Sequence, residues 1–271
     1  MDKQKALNFM QIKNAKGNET PLLNRVPHII LLYWIIKIAS TTLGETGADV
    51  FSMTFNLGYG LTIALFMGIL LLFLVIKLSM KRYDPLMYWL VFTATAIVGT
   101  AISDFIDRTL GLGYTFGAIT LFSLLLVVLG MWYQQEKSIN VEHIKTSPAE
   151  LYYWLAFLVA NTLGTAAGDF LADRLGIGFM NSALIISGLL IVCSILHFYT
   201  KVSSLLLFWL AFVLTRPFGA TFGDLLTKTP EHGGIGLGTI GASVFFSIIL
   251  IVALMREIKA ERSRNVNELA L

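Results

Sequence analysis

Apolar runs of about 20 residues recur along almost the whole chain, and short polar segments rich in Gly, Asp, Asn or Lys separate them. Each run is long enough to cross a lipid bilayer as an α-helix. We predict eight spans, at approximately residues 27–46, 59–78, 86–106, 114–133, 151–171, 179–199, 203–226 and 236–255. The pattern therefore predicts an all-α polytopic membrane protein with eight transmembrane helices.

The composition agrees with this prediction. Of the 271 residues, 56% are hydrophobic and 14% are charged, whereas a soluble domain carries about 25% charged residues. No basic cluster with interleaved aromatic residues is present, so we expect no nucleic-acid partner. The single cysteine, Cys193, excludes an internal disulfide framework.

The polar segments and the positive charges predict the domain organisation and the orientation. We expect a first half at 27–133 and a second half at 149–255, joined by a linker at 134–148 and flanked by tails at 1–26 and 256–271. Fifteen Lys and Arg residues fall on the side of the tails and the linker, and three fall on the other side. Because cytoplasmic loops carry the excess of Lys and Arg, both tails and the linker should be cytosolic.

A short pattern occurs four times in the odd-numbered spans: a Trp, a Gly ten residues later, and an Asp five residues after that. The copies are Trp34/Gly44/Asp49, Trp89/Gly99/Asp104, Trp154/Gly164/Asp169 and Trp209/Gly219/Asp224. The tryptophans are 55, 65 and 55 residues apart, which predicts four repeats of two helices each. A two-helix repeat returns the chain to its starting side, so the repeats should be parallel around an axis along the membrane normal. We interpret the tryptophans as interfacial anchors.

The repeated aspartates are candidate ligands of a transported cation, because a carboxylate inside a membrane is costly and usually functional. Glu45 joins them as an acid without a counterpart, since Thr100, Thr165 and Ala220 occupy its equivalent positions. The candidate metal ligands are thus Glu45, Asp49, Asp104, Asp169 and Asp224.

Two acid pairs, Glu45 with Asp49 and Asp169 with Asp173, are spaced i,i+4 and so lie on one helical face. Such a pair can share a hard cation with nearby oxygens, and we predict that these come from Thr41, Thr42, Thr46, Thr100, Asn161, Thr162 and Thr165. Oxygen ligands suit Mn²⁺, Ca²⁺ or Mg²⁺, and carboxylates in a low dielectric can exchange such an ion for protons.

Two basic residues fall inside the spans. Lys37 is expected to reach the cytoplasmic interface with its long side chain. Arg216, followed by Pro217, needs an anionic partner at its depth, either an internal acid or an anionic substrate. The internal pair is our first interpretation, and the substrate site is the alternative.

The repeat resembles a bacterial membrane-protein family known mainly through a tandem repeat of unknown function, over approximately residues 27–255. This resemblance implies an inner-membrane protein. The segment at 44–49, Gly-Glu-Thr-Gly-Ala-Asp, is also loosely similar to the acidic motifs of calcium and manganese exporters, although the residue order differs.

We therefore expect a secondary transporter that exchanges a divalent cation such as Mn²⁺ for protons. The alternatives are a carrier of an anionic organic solute that uses Arg216, and a structural or sensor protein in which the aspartates hold helix ends. We expect no enzymatic activity and no tightly bound cofactor, because neither a nucleophile–base pair nor a nucleotide-binding loop is evident. The expected partners are the lipid bilayer and the small cation, and a homo-oligomer is compatible with the sequence.

Overall fold

The computed structural model describes residues 24–80, 82–139, 141 and 144–269, with side chains as far as Arg264. In this part of the chain the fold is all-α, as predicted. Its eight long helices are α1 (Leu31–Asp49), α2 (Gly58–Ser79), α3 (Pro85–Asp104), α4 (Tyr114–Glu136), α5 (Ser147–Asp169), α6 (Phe179–Tyr199), α7 (Ser204–Thr227) and α8 (Thr239–Leu269).

The helix boundaries depart from the prediction at three places. Helix α1 begins at Leu31 rather than near residue 27, and α8 continues to Leu269, so the segment predicted as a C-terminal tail is largely helical. The linker is shorter than predicted, because α4 extends to Glu136 and α5 starts at Ser147. The hydroxyl of Thr146 caps α5 by accepting a hydrogen bond from the Ala149 N–H at 3.2 Å. The tail predicted at 1–26 lies mostly outside the described residues.

Seven helices within the described residues, α2 to α8, are long and apolar enough to cross a membrane. Helix α1 is not among these seven, and its 19 residues include three charged ones, Lys37, Glu45 and Asp49. The even-numbered helices expose large apolar side chains, such as Leu72, Phe122, Ile191 and Ile248. Contiguous apolar surface of this kind is unfavourable in water and suits contact with lipid.

The odd-numbered helices form a closed inner ring. Helix α1 packs against α3, α3 against α5, α5 against α7, and α7 against α1. The even-numbered helices form an outer layer in which each packs on the next odd helix of the cycle: α2 on α3, α4 on α5, α6 on α7 and α8 on α1. The fourth repeat thus closes onto the first.

The repeated glycines explain how closely the inner helices approach one another. Each repeated glycine faces one residue of the next repeat, namely the residue three positions before that repeat's own glycine. A Cβ atom added to the first glycine would collide with this residue. These pairs are Gly44 with Ala96, Gly99 with Asn161, Gly164 with Arg216, and Gly219 with Thr41. Only a residue without a side chain permits this approach. Because the same contact recurs around the ring, equivalent residues of the four repeats lie at the same level.

The repeats also share features at their acidic ends. In the first three repeats, Asp49, Asp104 and Asp169 are the last α-helical residues before a single π-helical turn, which covers Val50–Thr54, Phe105–Thr109 and Phe170–Arg174. Such turns are rare and often occur at functional sites. A glycine with positive φ stands at the start of each even helix, as the first residue of α2 and as the residue just before α4, α6 and α8, which explains why glycine recurs at residues 58, 113, 178 and 238.

Candidate functional site

Residues spaced by four along each inner helix line the axis of the ring and form six levels, which we call the axial column. In the first repeat they are Tyr33, Lys37, Thr41, Glu45 and Asp49 on α1, and Met53 in the π-helical turn that follows it. The equivalent residues of the other repeats are Tyr88, Phe92, Ala96, Thr100, Asp104 and Arg108; Tyr153, Phe157, Asn161, Thr165, Asp169 and Asp173; and Phe208, Phe212, Arg216, Ala220, Asp224 and Lys228. Each i,i+4 step advances the chain by about one helical turn, so the residue at one level lies beside the residues at the neighbouring levels.

Aromatic side chains fill the first two levels. At the first level, the hydroxyl groups of Tyr88 and Tyr153 are 2.5 Å apart. At the second, the ring centroid of Phe157 lies 5.5 Å from that of Phe92 and 4.2 Å from that of Phe212. The neighbouring Trp89 and Trp154 are buried in the same cluster, so these two are packing residues rather than the interfacial anchors that we expected. These two levels close the column at its aromatic end.

Lys37 completes the second level, where the other three repeats have phenylalanine. Its side chain is fully buried, and its Nζ lies 3.7 Å from the ring centroid of Phe212 and 5.2 Å from that of Phe92. Nζ donates a hydrogen bond to the Phe212 carbonyl at 3.2 Å. Among the described residues, no carboxylate lies within ion-pair distance of Lys37. The expectation that Lys37 reaches the interface is wrong, because the neighbouring repeats surround it on the axis.

The third and fourth levels hold a buried ion pair. The Nη2 atom of Arg216 lies 3.2 Å from Glu45 Oε2, and both side chains are at most 4% exposed. Arg216 also donates hydrogen bonds to the Thr41 carbonyl at 3.0 Å and to the hydroxyls of Thr100 and Thr165. Those two hydroxyls in turn donate to Glu45. Arg216 therefore pairs internally, and all four inner helices meet around it.

The four repeated aspartates form the fifth level, which we call the aspartate ring. Asp49, Asp104, Asp169 and Asp224 are each buried to 98% or more. Within the described part of the chain, Asp104 Oδ1, Asp169 Oδ2 and Asp224 Oδ1 are buried and accept no hydrogen bond. Four carboxylates at one level, one from each repeat, are what the sequence predicts.

Two cations at the sixth level face the aspartate ring. Arg108 lies 3.3 Å from Asp104 and 3.9 Å from Asp169. Lys228 lies 3.2 Å from Asp224 and 3.4 Å from Asp49. Burial lowers the pKa of the Lys228 ammonium, but Asp224 and Asp49 outweigh this effect and hold that pKa above its ordinary value. Each cation thus bridges the aspartate of its own repeat to that of the next.

The predicted oxygen ligands do not meet the aspartates in one shell. Thr100 and Thr165 contact Glu45 instead, and Asn161 donates a hydrogen bond to the Thr95 hydroxyl at 3.2 Å. Thr41 donates to the Ile38 carbonyl, Thr46 accepts from Ser243, and Thr162 donates to the Leu158 carbonyl. The Thr42 hydroxyl is buried without a hydrogen-bond partner among the described residues. The chain therefore separates Glu45 and its hydroxyl partners from the aspartate ring by one helical turn.

Asp173 also differs from its predicted role. It is exposed, whereas Asp169, its i,i+4 partner, is buried, so the two do not present a shared site. In the described residues, no group of three or more His, Cys, Asp or Glu side chains is arranged to hold a metal ion. The aspartate ring instead consists of two carboxylate pairs, each with its own cation.

Sequence reasoning did not single out Arg108 and Lys228 as part of the site, although the repeat contains a signal for them. Both follow the repeated aspartate by four residues, so they lie one turn further along the same helical face. The equivalent positions in the first and third repeats hold Met53 and Asp173. A cation thus follows the aspartate in the second and fourth repeats but not in the first and third. The arrangement of charges at this level is therefore approximately twofold symmetric.

These features define an all-α protein of four two-helix repeats, with helices suited to a membrane and a column of polar and charged residues on the repeat axis. Residues 32–83, 87–138, 152–203 and 207–263 each match the family described as Repeat of Unknown Function (DUF347). The chain belongs to this family, which confirms the resemblance drawn from the Trp/Gly/Asp pattern. No curated protein and no solved structure matches the chain.

Proposed function

We propose that the protein is a secondary transporter that exchanges a small cation for protons at the aspartate ring. In this proposal all eight helices cross a bacterial inner membrane as four parallel two-helix repeats, with both termini in the cytoplasm. A divalent ion such as Mn²⁺ is the first substrate to test. The protein acts as a carrier, not as an enzyme.

The observation that carries this proposal is the charge at the aspartate ring. Four buried carboxylates face two cations among the described residues, so two negative charges are left over if every group is ionised. An uncompensated buried charge is costly, and either protons or a bound cation can neutralise it. A divalent ion carries the charge that would balance the site, and two protons would do the same in its absence.

The axial column supplies the barrier that an exchanger needs. Between the aspartate ring and the aromatic end lie the Arg216–Glu45 ion pair and the two aromatic levels. An ion held by the aspartates can leave in that direction only when these levels separate. The π-helical turns beside three of the aspartates are suited to local rearrangement, because they interrupt regular helix at this level.

The contacts of Arg216 favour an internal role over the binding of an anionic solute. Its guanidinium already contacts Glu45, Thr41, Thr100 and Thr165, all of them buried. An anionic substrate would have to displace Glu45 from this environment. For this reason we rank a carrier of anionic organic solutes, with Arg216 as its binding residue, as the second candidate.

The test is Mn²⁺ flux into proteoliposomes under an imposed pH gradient. Asp49→Asn and Asp104→Asn keep the side-chain shape and remove one charge from each half of the ring, so each should abolish flux in a folded protein. Glu231→Gln is the matched control, because Glu231 is an exposed acid in the loop that follows Lys228. Wild-type flux in both asparagine variants would refute the proposal.

A parallel thermal-shift series with Mn²⁺, Mg²⁺, Ca²⁺ and Na⁺ identifies the ion, since a ligand that binds only the folded state raises its apparent stability. If no cation shifts the transition and Arg216→Ala abolishes the uptake of an anionic solute, the second candidate is favoured. If variants that lack all four aspartates fold and every flux is unchanged, the ring is structural.

A further inference from the structure

Arg108 and Lys228 occupy the place next to the aspartates where a transported cation would bind. We propose that these two side chains are built-in competing cations, which set the affinity of the aspartate ring and restrict access to it from the acidic end. This inference rests on the proposed function, because it names the residues that determine specificity at the same site.

The first argument is the pairing geometry. Lys228 Nζ lies between Asp224 and Asp49, at 3.2 Å and 3.4 Å, and Arg108 lies between Asp104 and Asp169, at 3.3 Å and 3.9 Å. Each cation therefore joins carboxylates of two adjacent repeats. The ring is divided into two half-sites, and each half-site already binds a positive charge in the way that a free cation would be bound.

The second argument is the gradient of exposure. The Lys228 and Arg108 side chains are 23% and 31% exposed, whereas the aspartate side chains beside them are 2–3% exposed. The cations thus lie between the aspartates and the surface at this end of the column. Both side chains are long and flexible, so they can move their charged groups out into water, where these groups are well solvated.

The third argument is that the pairs are held more by charge than by hydrogen bonds. Lys228 donates one long hydrogen bond, of 3.4 Å, to Asp49. Asp104 Oδ1, Asp169 Oδ2 and Asp224 Oδ1 accept none from the described residues. An incoming cation would therefore compete against electrostatic attraction and would break few directional bonds. An ion of higher charge density than an ammonium group is favoured in that competition, which points to a divalent substrate.

The repeat itself provides the substitution that tests this inference. The first repeat has Met53 where the second and fourth have Arg108 and Lys228, so methionine is already accepted at this level. Lys228→Met and Arg108→Met each remove one competitor from a different half-site. Lys228→Arg keeps the charge, and Arg174→Met removes an exposed positive charge that makes no ion pair within the described residues.

The measurement is the apparent affinity of the purified proteins for Mn²⁺, from thermal shift at a series of MnCl₂ concentrations. We expect Lys228→Met and Arg108→Met each to bind Mn²⁺ about tenfold more tightly than the wild type, because a close positive charge has been removed from a partly buried site. Arg174→Met should bind as the wild type does, and Lys228→Arg, which keeps the competing charge, should not bind Mn²⁺ more tightly than the wild type. Because the two methionine variants change separate half-sites, either one alone tests the inference if the other does not fold.

Two negative outcomes have different meanings. If the wild type binds and transports Mn²⁺ but neither methionine variant binds it more tightly, the competing-cation role is refuted and the transporter proposal stands. If the wild type and all variants show neither binding nor flux with any of the four cations, the transporter proposal fails, and the inference fails with it.

Discussion

Arg216 Nη2 lies 3.2 Å from Glu45 Oε2 and joins the fourth repeat to the first at the centre of the inner ring. The two residues come from adjacent levels of the axial column, at positions where the third repeat has Asn161 and Thr165. The pair therefore replaces a neutral polar pair of the repeat with two opposite charges. Its contacts with Thr100 and Thr165 extend to the two remaining inner helices.

The third repeat suggests a test of this pair by a double-mutant cycle. Glu45→Thr leaves the Arg216 charge buried and unpaired, so we expect a loss of about 3 kcal/mol in the free energy of unfolding. The double variant Glu45→Thr/Arg216→Asn reproduces the residues of the third repeat and should recover most of that loss. Thermal unfolding in detergent measures both. Additive losses would show that the two charges are not coupled.

The glycine contacts predict a contrast between inner and outer helices. A Cβ at Gly164 would collide with the Cβ and Cγ of Arg216, whereas one at Gly130 would meet nothing within 4 Å. We expect Gly164→Ala to lower the free energy of unfolding by about 2 kcal/mol. Gly130→Ala should be neutral or slightly stabilising, because alanine favours a helix. Equal effects on the thermal transition would contradict the close packing of the ring.

Two fully buried lysines should respond in opposite directions to replacement by methionine. Lys77 Nζ lies 2.6 Å from Glu150, which also pairs with Arg25 at 2.8 Å. The Lys37 ammonium donates a hydrogen bond to a carbonyl oxygen and lies near two aromatic rings, and it forms no ion pair among the described residues. Lys77→Met should therefore destabilise the protein by about 2 kcal/mol. Lys37→Met should stabilise it by about 1 kcal/mol, since a charge without an anionic partner leaves the interior. A lower transition temperature for Lys37→Met would contradict this interpretation.

The proposed orientation predicts the accessibility of introduced cysteines. In a Cys193→Ala background, Glu231→Cys should react with a membrane-impermeant maleimide in intact cells, because its loop follows the acidic end of α7. Arg262→Cys, near the end of α8, should react only after the cells are broken. The reverse labelling pattern would place the termini outside the cytoplasm.

The repeat pattern accounted for much of the fold because hydrophobic length and turn residues are local properties of the chain. The long helices lie where the apolar runs predicted them, and the four repeated aspartates lie at one level. The π-helical turns and the continuation of α8 to Leu269 were not predicted. Helix ends depend on packing and capping that hydrophobic patterns do not reveal.

The sequence alone determined the fourfold repeat, the helices and the presence of buried acids, since these follow from spacing and hydrophobicity along one chain. The tertiary structure decided which charges meet. Glu45 and Asp49 are one turn apart on the same helix, yet Glu45 pairs with Arg216 and Asp49 with Lys228, both from the fourth repeat. Lys37 likewise meets Phe92 and Phe212 on the axis instead of reaching the interface. The contacts of the first repeat with Arg216, Lys228 and Phe212 join residues far apart in sequence, so they exist only because the fourth repeat closes the ring onto the first.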